Sequence, residues 1–166
     1  MILLPLQNGA ALKDGVWIQT RPVITQGFGE RPAVYAQFGL KGHNGIDLRA
    51  ETGTPIYAPF EGIAHIHDEG DKGYGKYIKI TKDGLEFTIA HLSQFLIQDG
   101  QKVYMGDRIA LSGGTGFVTA PHFHGTMKRL NEKGQVLDYD NGFKGAIDWL
   151  ALAITWKGSL TSDNII

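Results

Sequence analysis

The chain has 166 residues, 42% of them hydrophobic and 20% charged, and its net charge is −1 at pH 7. This length suits one domain with a real hydrophobic core, and the near-neutral charge gives no reason to expect a nucleic-acid partner. Cysteine is absent, which excludes disulfide bonds and thiolate metal sites, so a metal must be held by His, Asp and Glu. The 23 glycines favour tight turns and short strands over long helices.

Residues 1–20 are predicted to form an irregular N-terminal segment, with turn signals at Asn8-Gly9 and Asp14-Gly15. The apolar start is too short for a secretory signal and lacks both a basic region and a cleavage site. No stretch approaches the ~20 apolar residues of a membrane span. We therefore expect no membrane span and no visible export signal.

Residues 21–140 read as a series of short strands that form a mainly antiparallel β-domain. Several segments alternate between apolar and polar residues, and Asp83-Gly84 is typical of a tight hairpin turn between two of them. The returning strand ends at His91. Residues 31–42 read as a loop, and the strands are predicted at residues 21–26, 54–59, 62–67, 76–81, 85–91, 108–112 and 122–130.

Residues 141–166 carry the only helical pattern. Ile147, Leu150, Ala151 and Ile154 have the spacing of one helix face, which predicts a short C-terminal helix packed on the same domain. Trp149 and Trp156 are interpreted as its core contacts.

The segment Pro121-His122-Phe123-His124 is the strongest indication of chemistry. Residues two apart on a strand point to the same face, so His122 and His124 would enter one site. Imidazole is the commonest metal ligand and the commonest general base near neutral pH. A second pair, His65-Ile66-His67, precedes an acidic stretch and is interpreted as solvent-facing. Upstream, His43 and Asp47 are four residues apart and share a face in an extended chain.

A catalytic zinc site uses three protein ligands and leaves one position for water. His43, Asp47 and one histidine of the His122/His124 pair would complete such a set. The metal would polarise a carbonyl and lower the pKa of its water towards ~7, as amide hydrolysis requires. His91 and the remaining histidine are then candidates for taking the proton of the water and stabilising the oxyanion. Taken singly, these histidines could also be surface or core residues.

The order of the motifs resembles the zinc metallopeptidases of the lysostaphin/LytM type (peptidase family M23), which cut peptide bonds in bacterial peptidoglycan. The resemblance runs from about Val23 to Met127. It is carried by these segments: Gly27-Phe28-Gly29, His43-x-Gly45-Ile46-Asp47, Gly53-Thr54-Pro55-Ile56-x-Ala58, Gly73-Tyr74-Gly75, His91-Leu92-Ser93, Gly100-Gln101-Lys102-Val103, Gly106, Ser112-Gly113-x-Thr115-Gly116 and Pro121-His122-x-His124.

The resemblance implies that His43, Asp47 and His124 hold one Zn²⁺ per chain, and that His91 and His122 are catalytic. It implies a fold in which an antiparallel β-sheet, built from a duplicated hybrid motif, forms the floor of a groove walled by loops. We expect the loops at residues 33–41, 70–75 and 114–120 to set the substrate preference. The peptide part of peptidoglycan is the expected partner, and the cell wall is the expected place of action.

The chain departs from the family pattern beside the metal centre. Gly125-Thr126 stands where Phe-Glu usually follows His-x-His, Ile89 where a Tyr is common, and Ala120 where Gly is usual. These positions flank the expected ligands, so they bear on substrate preference more than on activity.

Two alternatives to a peptidoglycan endopeptidase stay open. One is a non-catalytic wall-binding or activator module with the same fold, which the intact set of five residues disfavours. The other is an enzymatic or structural component of a phage tail or lysis assembly, which would bring phage or cell-envelope assembly partners.

Overall fold

The computed structural model describes residues 2–3, 5–6, 10–13, 16–19, 23–155 and 158–159. Most of the regular structure in these ranges is short β-strand. The strands are β1 (Ile2–Leu3), β2 (Ala10–Lys13), β3 (Val16–Gln19), β4 (Ile24–Gln26), β5 (Ile46–Leu48), β6 (Pro55–Tyr57), β7 (Gly62–Asp68), β8 (Lys76–Lys82), β9 (Leu85–Ala90), β10 (Leu92–Phe95), β11 (Gln101–Val103), β12 (Arg108–Ser112), β13 (Phe123–Arg129), β14 (Ala146–Ile147), β15 (Ala153–Thr155) and β16 (Gly158–Ser159). The helical elements are α1 (Pro32–Tyr35) and 3-10 turns at Ala36–Phe38, Tyr139–Asn141 and Leu150–Leu152.

The main sheet has eight strands in the spatial order β11-β7-β8-β9-β13-β5-β4, with β14 paired to β13. Its strand pairs are all antiparallel. A second antiparallel sheet has the order β10-β12-β6. The prediction of a mainly antiparallel β-fold is therefore confirmed, and the predicted strands at residues 62–67, 76–81 and 108–112 match β7, β8 and β12 closely.

The hairpin between β8 and β9 forms where the sequence predicts it. Asp83 and Gly84 have φ angles of 48° and 75°, which suit a two-residue turn whose twist matches that of the strands. Lys82 faces Leu85 across this turn, and this pairing sets the register along the whole hairpin. The register in turn fixes where β9 ends, at the residue before His91.

The main sheet has one core face and one polar face. On β13, Phe123 and Met127 belong to the hydrophobic core, which also contains Ile56 and Ile109 from the second sheet. Side chains alternate along a strand, so His124, Thr126 and Lys128 lie on the opposite face. The two sheets thus enclose the core, while the polar face of the main sheet is left to carry the site.

The predicted C-terminal helix is not present in the described residues, so this prediction is wrong for the part of residues 141–166 that the structure describes. Ala146–Ile147 instead pairs with β13, and Ala153–Thr155 pairs with β1 and β16. Trp149 is buried as predicted, but in the main core, and its indole N–H donates to the carbonyl of Gly125. Strand pairing and the burial of Trp149 in the main core therefore determine the conformation of this segment, although four of its apolar residues have the spacing of a helix face. Trp156 lies outside the described residues.

Two further segments differ from their predictions. Ala10–Lys13 and Val16–Gln19 pair as an antiparallel hairpin within residues 1–20, where an irregular segment is expected. Residues 32–38, expected to be loop, form α1 and a 3-10 turn. Pro at the first helical position favours this short helix.

Candidate metal centre

Three side chains meet on the polar face at the centre of the main sheet. His124 on β13 lies directly opposite Asp47 on β5, and His43 precedes β5 by three residues. The Oδ1 atom of Asp47 lies 2.8 Å from Nδ1 of His124 and 3.2 Å from Nε2 of His43. The two nitrogens are 3.0 Å apart. Three potential ligand atoms therefore converge on one point, and all three residues are buried.

The outward nitrogens of both rings are held by hydrogen bonds. Nδ1 of His43 donates to the carbonyl of Gly27 over 3.0 Å, so the neutral form of this ring has its lone pair on Nε2. Nε2 of His124 is 2.8 Å from the hydroxyl of Thr126. Such outer partners orient metal-binding histidines in known sites. The geometry and donor types therefore fit a divalent metal with a preference for nitrogen and oxygen.

The electrostatics of the cluster also suit a cation. Burial alone would raise the pKa of the Asp47 carboxyl, but its close contacts with the rings of His124 and His43 outweigh burial and hold that pKa well below its usual range. Burial lowers the pKa of His124, against the opposing effect of Asp47. A carboxylate beside a neutral imidazole is the form in which both residues can bind a metal.

Gly45, between His43 and Asp47 in sequence, allows the close packing of this site. A Cβ atom at this position would lie 2.6 Å from both the carbonyl oxygen of Gly125 and Cε1 of His124. The loop before β5 can therefore approach β13 only with glycine here.

His91 and His122 flank the cluster. Their ring centroids are 4.9 Å apart, and the ring of His91 is 5.6 Å from that of His124. Each donates through Nδ1 to a backbone carbonyl over 2.9 Å, His91 to Thr115 and His122 to Ala120. In the neutral form of each ring the lone pair is then on Nε2, and Nε2 of His122 lies 3.6 Å from Oδ1 of Asp47.

His91 has two unusual properties. Its φ angle is 59°, in the left-handed region that few residues other than glycine adopt. Burial lowers its pKa to about 3, and the neighbouring His124 contributes in the same direction. The ring is therefore neutral at any physiological pH. Backbone outliers of this kind gather at functional sites.

Two groups of three potential ligands occur among the described residues: His43 with Asp47 and His124, and His91 with His122 and His124. The first is fully buried and includes a carboxylate, whereas the second has neither property. His65 and His67 belong to neither group. His65 is exposed and forms a hydrogen bond with the exposed Asp99, which agrees with its interpretation as a surface residue. The ring of His67 stacks on Tyr77.

A second layer of polar residues was not recognised in the sequence. Tyr74, from the Gly73-Tyr74-Gly75 motif, lies with its ring 5.4 Å from that of His124. Its hydroxyl accepts a hydrogen bond of 2.9 Å from the Asn44 amide, and the Thr126 side chain interacts with it electrostatically. These partners are 30 or more residues apart in sequence, so no local pattern could have indicated them.

Two of the loops expected to wall a groove touch each other through aromatic side chains. Phe38, at the end of the 3-10 turn after α1, meets Phe117 with ring centroids 5.5 Å apart. Both are exposed for large apolar side chains, with 40% and 63% of their surface accessible. Tyr35 extends this aromatic group to the ring of His43, at 5.3 Å.

Comparison with known proteins decides the family. The sequence model of Peptidase family M23 matches residues 41–138, which contain all five predicted site residues. The chain belongs to peptidase family M23. The resemblance seen in its motifs is thereby confirmed.

Two solved structures agree with this M23 assignment. The catalytic domain of lysostaphin from Staphylococcus simulans is 25% identical, with a TM-score of 0.63, over 79% of this chain and 91% of that domain. A zinc-containing peptidase from Vibrio cholerae is 26% identical, with a TM-score of 0.55, over 77% of this chain and 44% of that protein.

Among curated relatives, the peptidoglycan DD-endopeptidase ShyA of Vibrio cholerae is 41% identical over 83 residues, 49% of this chain and 19% of ShyA. The chain spans between 18% and 28% of the length of these curated relatives. In the described residues, no helix has the length and hydropathy that a membrane crossing needs.

Proposed function

We propose that this chain is a zinc-dependent endopeptidase that hydrolyses peptide bonds in bacterial peptidoglycan. Zinc would be held by His43, Asp47 and His124, and the reaction would use His91 and His122. The observation that carries the proposal is the convergence of three buried ligand atoms, two imidazole nitrogens and one carboxylate oxygen. Hydrogen bonds orient both imidazole rings. The nitrogen-rich set without thiolates favours zinc among the divalent metals.

A zinc ion bound there would supply Lewis acidity, which polarises the scissile carbonyl and acidifies a water molecule. His43 and His124 would contribute neutral nitrogens and Asp47 a negative charge, so the site would keep a net charge of only about +1 with the ion present.

The two flanking histidines divide the proton chemistry. His122 is partly exposed, and its Nδ1 is engaged with a backbone carbonyl, so its Nε2 can act as the base; we assign it the role of taking the proton of the attacking water and returning it to the leaving nitrogen. A proton on His91 is costly because burial lowers the pKa of that ring to about 3. We therefore assign His91 to orienting the water through its Nε2 lone pair.

The peptidoglycan substrate is inferred from relatives. ShyA, which is 41% identical to this chain over 83 residues, is named a peptidoglycan DD-endopeptidase. A site of action at the cell wall follows from that substrate. The region responsible for catalysis would be residues 21–140, as the sequence predicts.

Zinc content and wall hydrolysis measured together test the proposal. We expect one zinc per chain, and a fall in the turbidity of purified cell walls that is lost on removal of zinc and restored by its return. Binding to walls without any hydrolysis, by zinc-loaded protein and on walls of several cross-bridge types, would instead support a non-catalytic wall-binding module.

A further inference from the structure

The ring of His124 has to meet two different demands. Nδ1 faces Asp47 and His43, so a metal bound there takes the lone pair of Nδ1, and the ring proton must then be on Nε2. Without metal, Asp47 is the stronger acceptor and draws the proton to Nδ1, over 2.8 Å. The proton of His124 therefore changes nitrogen when metal binds.

The partner of Nε2 must follow this change, and a hydroxyl can do so. Thr126 Oγ1, 2.8 Å from Nε2, can accept from Nε2–H when metal occupies Nδ1 and can donate to Nε2 when it does not. Thr126 is fully buried, so water cannot take its place. A Glu carboxylate, usual at this position of the family pattern, could only accept.

Tyr74 lies behind Thr126 and has the same freedom. Its hydroxyl receives the amide N–H of Asn44 over 2.9 Å and interacts with the Thr126 side chain. The metal-free chain of donation then runs in one direction, from Asn44 through Tyr74 and Thr126 to His124. When the proton of His124 is on Nε2, Thr126 accepts the hydrogen bond from Nε2–H, and the Thr126 hydroxyl is free to donate towards Tyr74 instead.

We propose that Thr126 is a positioning residue of the metal centre: a reversible hydrogen-bond partner that fits His124 with and without metal, with Tyr74 as its support. The inference rests on the proposed metal set of His43, Asp47 and His124. It adds a role for a residue that departs from the family pattern, and it explains why this position can carry a hydroxyl.

The test measures zinc affinity by competition with a chromogenic chelator. Thr126→Val keeps the shape of the side chain but removes the hydrogen bond, and we expect zinc to bind about 10- to 100-fold more weakly, as for outer partners of other metal sites. Thr126→Ser should restore most of the affinity. Tyr74→Phe should cause a smaller loss.

Thr88→Val is the matched control. Thr88 lies directly opposite Thr126 in the sheet and is buried to a similar degree. This variant should bind zinc like the unaltered protein. Denaturant unfolding of each metal-free variant shows that the fold is present before affinity is compared.

NMR of the histidine nitrogens supplies a readout that general loss of structure does not mimic. We expect the proton of His124 on Nδ1 in the metal-free protein and on Nε2 in the zinc-loaded protein. Zinc on Nε2 of His124, or equal zinc affinity in Thr126→Val and Thr88→Val, would overturn the inference.

An error in the proposed metal ligands gives a different result from an error in the role of Thr126. If His43→Ala retains zinc, the proposed site is wrong. If His43→Ala loses zinc while Thr126→Val binds it normally, only the role of Thr126 is wrong.

Discussion

Replacing Gly45 by alanine should damage the metal centre through one added carbon atom. The new Cβ would lie 2.6 Å from Cε1 of His124 and 2.6 Å from the carbonyl oxygen of Gly125. Carbon atoms in ordinary contact are about 3.5–4.0 Å apart, so each overlap is about 1 Å. Gly125 pairs with Ile46 in the sheet and cannot retreat easily. The ring of His124 is therefore the part that moves.

The size of the effect follows from these contacts. Overpacking of a buried site usually costs about 1–3 kcal/mol, and we expect the free energy of unfolding of the metal-free protein to fall by that amount. Displacement of a ligand should weaken zinc binding at least about tenfold beyond this, which corresponds to about 1.4 kcal/mol.

Denaturant unfolding and chelator competition measure the two effects separately. Gly114→Ala is the control, because a Cβ there meets its nearest neighbour, Pro121, at an ordinary 3.5 Å. Both variants lose the same backbone freedom in the unfolded chain, so their difference isolates the collision. Unchanged stability and zinc affinity in Gly45→Ala would refute the packing described for the site.

The remaining predictions concern the ligands, the flanking histidines and pH. His43→Ala and His124→Ala should lose both bound zinc, measured by elemental analysis, and wall hydrolysis; full zinc retention in either would contradict the ligand assignment. His122→Ala should retain zinc but lower turnover about 10²- to 10⁴-fold, the usual contribution of a positioned acid or base. His91→Asn should also retain zinc and lower turnover, because the attacking water is then no longer oriented by the ring. Asn is chosen because it tolerates the φ of 59° at His91, and zinc loss in His91→Asn would favour the alternative set of three histidines. The metal-free protein should lose stability as pH falls from about 6.5 towards 3. In this range His91 is protonated in the unfolded chain but stays neutral in the folded protein, where burial lowers its pKa to about 3. When the free energy of unfolding is measured with urea at several pH values, its dependence on pH should be shallower for His91→Asn, by up to about 1.4 kcal/mol per pH unit. An equal dependence on pH in both proteins would contradict that pKa.

The β-fold was accessible from the sequence because alternation and turn chemistry are local. The Asp83-Gly84 turn and the alternation on either side of it predict a hairpin without reference to the rest of the chain, and the structure contains it. The C-terminal segment shows the opposite case. Its apolar spacing fits a helix, but pairing with β13 and burial of Trp149 depend on residues far away in sequence.

The candidate site likewise has some features that the sequence could predict and others that it could not. His43, Asp47, His91, His122 and His124 could be proposed from motif order, and the structure brings all five together, although their individual roles stay predictions. The positive φ of His91 and the contacts of Thr126 with His124 and Tyr74 could not be proposed. The sequence shows Thr126 only as a departure from the family pattern, because the role of a hydroxyl depends on hydrogen-bond partners that a sequence does not show.

Mass spectrometry of the digestion products tests the central claim most directly. Purified peptidoglycan would be incubated with zinc-loaded protein, with metal-free protein and with His122→Ala, and the soluble fragments would then be sequenced. We predict that the zinc-loaded protein converts cross-linked fragments into smaller ones with one new amino group and one new carboxyl group at a peptide bond, and that the other two samples do so slowly or not at all. Fragments cut only in the glycan strands, or equal cleavage by metal-free protein, would contradict a zinc-dependent endopeptidase.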